Sequence, residues 1–70
     1  MNKYMKNLSE NLKDLMGDMT IKELAKQVNI PQPTLSRYLS CQRQITLEYL
    51  VVLADYFDTD IDILIGRRDY

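Results

Sequence analysis

Seventy residues make one small domain with a thin core, and a single cysteine with no histidine excludes both a disulfide framework and a Cys/His zinc cluster. The net charge of −1 excludes a uniformly basic chain, but the charge is unevenly spread. Residues 1–19 balance to 0, residues 20–43 sum to +3 and residues 44–70 to −4, so the cationic third lies in the middle.

The first predicted helix runs from Met5 to Met16, with Leu8, Leu12, Leu15 and Met16 on one inward face and Gly17 suited to ending it. The second, Thr20 to Val28, opens on a capping box of Thr20 and Glu23, flanked by a staple of Met19 and Leu24. Its residues Ile21, Leu24, Ala25 and Val28 fall on one helical stripe. Asn29, Ile30 and Pro31 break the pattern, because Asn tolerates positive φ and proline disfavours helix in the residue before it. A third helix follows over Gln32 to Ser40 with Leu35 and Leu39 inward, and the prolines at 31 and 33 leave two starting points for it, Gln32 or Pro33. The fourth spans Thr46 to Phe57 and should bury Leu47, Leu50, Leu53, Ala54 and Phe57. Asp60 caps a short last helix that turns Ile61 and Leu64 inward and ends at Gly66. No segment alternates as a strand does, so the fold class is all-α, a compact five-helix single domain over residues 1–70 with flexible ends at 1–4 and 67–70.

Helices two and three with their three-residue turn make a helix-turn-helix. Two steeply crossed helices need a small residue at the crossing, which Ala25 supplies, and an apolar plug in the corner, which Ile30 supplies. Leu35 and Leu39 pin the third helix, which leaves Gln32, Thr34, Ser36 and Arg37 to face a DNA major groove. The stretch TIKELAKQVNIPQPTLSRYLSCQR resembles the helix-turn-helix of the Cro and phage-repressor (Xre) family, and ITLEYLVVLADYFDTDIDILIGR is similar to that family's fourth and fifth helices. The resemblance covers roughly residues 8–66 and rests on the order and spacing of five elements, which is more specific than a bare helix-turn-helix pattern.

The resemblance implies sequence-specific binding of double-stranded DNA, with Gln32, Pro33, Thr34 and Arg37 at base edges. It further implies that Ser36, Gln42 and Arg43 meet phosphates, with Lys22 at the start of the second helix as another phosphate contact. This sequence departs from the family where Ile21 replaces a common glutamine, Asn29 a frequent glycine and Pro31 a serine or threonine cap. Cys41 takes a common glycine position, where a left-handed backbone would store strain of order 1 kcal/mol. Tyr49, Val52 and Tyr56 form a second stripe about 100° from the core stripe of helix four, and are expected at a homodimer contact that reads a palindromic operator. The expected role is a cytoplasmic transcriptional repressor without cofactor, metal, membrane or small-molecule ligand. An antitoxin of a toxin–antitoxin pair and a helical interaction module that has lost DNA are the alternatives. The acidic groups Asp55, Asp58, Asp60 and Asp62 read as caps and first-turn charges rather than a metal loop. Without histidine, a nucleophile–base pair or a glycine-rich phosphate loop, no catalysis is expected.

Overall fold

The computed structural model describes residues 2–68, which form five helices and no strand. These are α1 (Lys3–Met16), α2 (Ile21–Val28), α3 (Gln32–Leu39), α4 (Leu47–Tyr56) and α5 (Ile61–Leu64). Each start has a local cause. Asn2, Thr20, Thr46 and Asp60 sit in extended backbone and accept hydrogen bonds from the free amides of Met5, Glu23, Tyr49 and Asp62.

At α2 the capping box is complete, with the Thr20 N–H donating to Glu23 Oε1 at 2.9 Å and the Glu23 N–H to Thr20 Oγ1 at 3.1 Å. The Thr20 N–H first, and the Thr20 hydroxyl second, hold the Glu23 carboxyl below its ordinary range. A depressed carboxylate stabilises the fold above its unfolded pKa, and that contribution fades as pH falls through the lowered value.

The two prolines do not delay α3, which starts at Gln32. Pro31 occupies the cap position at φ −55° and ψ 136° with no side-chain hydrogen bond, and Pro33 stands in the first turn, where backbone amides have no intrahelical partner to lose. The turn before it closes on Asn29 in the left-handed region, with φ 57° and ψ 40°.

One apolar cluster joins all five helices: Met5, Leu8 and Leu12 of α1, Leu24 and Ile30, Leu35, Tyr38 and Leu39 of α3, Leu53 and Ala54 of α4, and Leu64 of α5. Each fully buried leucine contributes roughly 1.5–3 kcal/mol over its exposed state. α1 packs on α3 and α5, α2 on α3 and α4, and α4 on α5. The polar side of α1 then seals the ends of its neighbours. Ser9 Oγ donates to the Leu39 carbonyl at 2.5 Å, Asn11 Nδ2 to those of Ile63 and Leu64, and Asn7 Nδ2 to that of Ile65. These carbonyls lie at or just past helix C-termini, where the regular helical ladder has run out, and that of Ile63 also accepts from the Gly66 N–H.

Two leucines expected in the core are outside it. Leu15 is 37% exposed and Leu47 is 76% exposed, because each sits at the end of its helix. Of the expected flexible ends, residues 3 and 4 form the first turn of α1, and Arg67 and Arg68 pair with Asp62 and Asp60. Residues 1, 69 and 70 lie outside the described ones. Among the described residues no helix is long and apolar enough to cross a membrane.

Candidate nucleic-acid interface

α2 and α3 pack on each other, with Leu24, Ile30, Leu35 and Leu39 buried in the shared apolar cluster and Ala25 half-buried against it. Burying one side of α3 determines what the other presents. Leu35, Tyr38 and Leu39 face the core, while Gln32, Pro33, Ser36, Arg37 and Ser40 are exposed. At about 100° per residue these five occupy one continuous sector of roughly 140°. Four of them were expected at DNA. Thr34 is half-buried at the border of the sector, next to Arg37 in helical phase.

Arg37 has no ion-pair partner among the described residues, so its guanidinium is free to engage a base edge or a phosphate. Ser40 adds no free donor, since its hydroxyl bonds the carbonyls of Ser36 and Arg37 and closes the helix end. Lys22 is exposed in the first turn of α2, beside the capping box, where the helix dipole adds to its positive charge. By contrast Arg67 and Arg68 are each paired with an aspartate.

Gln42 and Arg43 lie in the loop between α3 and α4, and both are exposed. The Gln42 N–H donates to the Arg37 carbonyl at 2.8 Å, which ties the loop to the last turn of α3. Just before it, Cys41 adopts φ 57°, the left-handed conformation that its common glycine counterpart implied.

Three contacts from the first turn of α1 hold this loop, and no local sequence signal announced them. Asn2 Nδ2 donates to Gln44 Oε1 at 3.2 Å, the Ile45 N–H to Met5 Sδ at 3.4 Å, and the Cys41 thiol to the Met5 carbonyl at 3.7 Å. Met5 is itself fully buried. The loop that carries Gln42 and Arg43 is thus positioned from a helix outside the helix-turn-helix.

The second stripe of α4 is less available than its spacing suggested. Tyr49 and Val52 are half-buried against the core, with the Tyr49 ring edge-on to Tyr38 at 6.5 Å. Tyr56 is exposed and stacks edge-on with Phe57 at 4.9 Å.

Among the described residues no group of histidine, cysteine and acidic side chains could hold a metal ion. A helix-turn-helix family model matches residues 12–64, which takes in the last turn and a half of α1, the α2–α3 pair, α4 and α5. No curated protein and no solved structure matches the chain.

Proposed function

The chain belongs to the helix-turn-helix family of Cro and phage repressors, a family of DNA-binding transcription regulators, and from that membership we propose that it represses transcription as a dimer on a palindromic operator. In this reading α3 lies in the major groove. Arg37, Gln32 and Pro33 meet base edges with Thr34 at their border, and Lys22, Ser36, Gln42 and Arg43 meet phosphates. The observation that carries it is the exposed sector of α3: five adjacent positions, polar apart from Pro33, with an unpaired arginine at one edge and a fully buried apolar face behind them. That is the arrangement a helix needs to enter a groove about 12 Å wide while its own domain holds it in place.

Binding to selected DNA sites at several salt concentrations tests the reading. Log K should fall linearly with log salt, by about 0.9 for each phosphate neutralised. A selected sequence should be bound at least about a thousandfold more tightly than random DNA. A flat salt response, or equal affinity for every sequence, would remove it.

A further inference from the structure

The most exposed large apolar side chain among the described residues is Leu47, at 76%, on the first turn of α4. It is not isolated. Val51, one turn further along the same ridge, is 39% exposed, and Tyr4 on α1 is 40% exposed. Between Tyr4 and Leu47 lies a groove of about 290 Å³ floored by Met5, Leu8 and Leu50. Apolar surface concentrated in this way marks a contact with another molecule more often than scattered apolar residues do.

The edges of the patch indicate which molecule. On the α1 side Lys3 holds its ammonium 5.3 Å from the centre of the Tyr4 ring. On the α4 side Glu48 and Asp55 neighbour Val51 at helical spacings of three and four residues, and both are exposed. One edge is cationic, the other anionic, and the middle is apolar. A two-fold axis through such a surface brings apolar middle onto apolar middle and reverses the edges, so each cationic edge meets an anionic one.

We infer that a second copy of this chain docks here, with the Leu47–Val51 ridges of two protomers packed together and Lys3 of each opposite Glu48 of the other. The inference rests on the proposed dimer but moves its contact around α4, away from Tyr49, Val52 and Tyr56, two of which are already engaged with the core.

Sedimentation of the wild type, Leu47→Glu, Tyr56→Asp and a charge series tests it. Leu47 is solvent-exposed at the start of a helix, where an acidic residue is favoured, so Leu47→Glu should keep the helicity of the wild type. If it does not fold, Val51→Lys takes its place. Leu47→Glu should raise the dimer dissociation constant by about tenfold or more, and Tyr56→Asp should leave it unchanged. Glu48→Lys should weaken the dimer, and adding Lys3→Glu should restore it. A wild type that stays monomeric, or a folded Leu47→Glu that associates like the wild type, overturns the inference. DNA binding is read separately. If Leu47→Glu still binds a half-site but loses joint binding to two, both readings stand. If no protein binds DNA while Leu47→Glu is monomeric and the wild type dimeric, the surface stands and the DNA reading falls.

Discussion

Arg37 and Lys22 are both exposed cations, yet the proposed DNA reading gives them different tasks. Arg37 projects from the exposed sector of α3, where a planar fork can meet guanine in two hydrogen bonds. Lys22 stands at the start of α2, where the proposed reading asks only for a charge beside the duplex backbone. Arg37→Ala should therefore cost roughly 1–3 kcal/mol on the preferred site and little on random DNA. Lys22→Ala should weaken both alike and make the salt slope shallower by about one contact. Filter binding of both variants to both DNAs checks this, and an equal loss on all sequences for Arg37→Ala would make it a phosphate contact. Single residues were most legible where their partners are close in the chain. Thr20 and Glu23 cap each other across three residues, and Asn29 needed only its own tolerance of positive φ. Leu15 and Leu47 were misplaced for a physical reason: helical periodicity fixes which side a residue lies on but not where the neighbouring helix stops.

At the scale of elements, the order, type and approximate bounds of the five helices were readable because apolar spacing and caps agree at each one. The support of the α3–α4 loop was not, because its contacts join residues 36 to 42 positions apart. Met5 shows what that support implies. Met5→Leu keeps the volume of a fully buried side chain but removes the sulfur that accepts from the Ile45 N–H. The substitution should cost less than about 1.5 kcal/mol of global stability, because such swaps repack well. The Ile45 amide should nevertheless exchange with solvent on the order of tenfold faster, since local opening of the loop no longer breaks a bond. Hydrogen exchange followed by NMR measures both. An unchanged Ile45 rate would mean that the sulfur contact does not restrain the loop.

The whole molecule is closed by the seam between its first and last helices. Gly66 has φ +78°, and a Cβ there would lie 2.8 Å from Asn7 Cγ and 3.0 Å from Asn7 Cβ. Gly66→Ala should thus add left-handed strain of about 1–2 kcal/mol and push Asn7 off the Ile65 carbonyl. Thermal denaturation should show the loss. A wild-type melting curve would mean that the seam yields at no cost.

That seam also sets the order of events during synthesis. The first helix leaves the ribosome long before its partners exist, for Asn11 and Asn7 bond carbonyls 52 to 58 residues downstream. Until residues 63–66 emerge, the face of Leu8 and Leu12 has no complete body to close on, and the nascent chain displays apolar surface to whatever is nearby. The helix-turn-helix can form early from local contacts, but the domain acquires its stability in a single late step. A chain truncated before residue 63 is therefore expected to be protease-sensitive, and one that runs through residue 66 resistant.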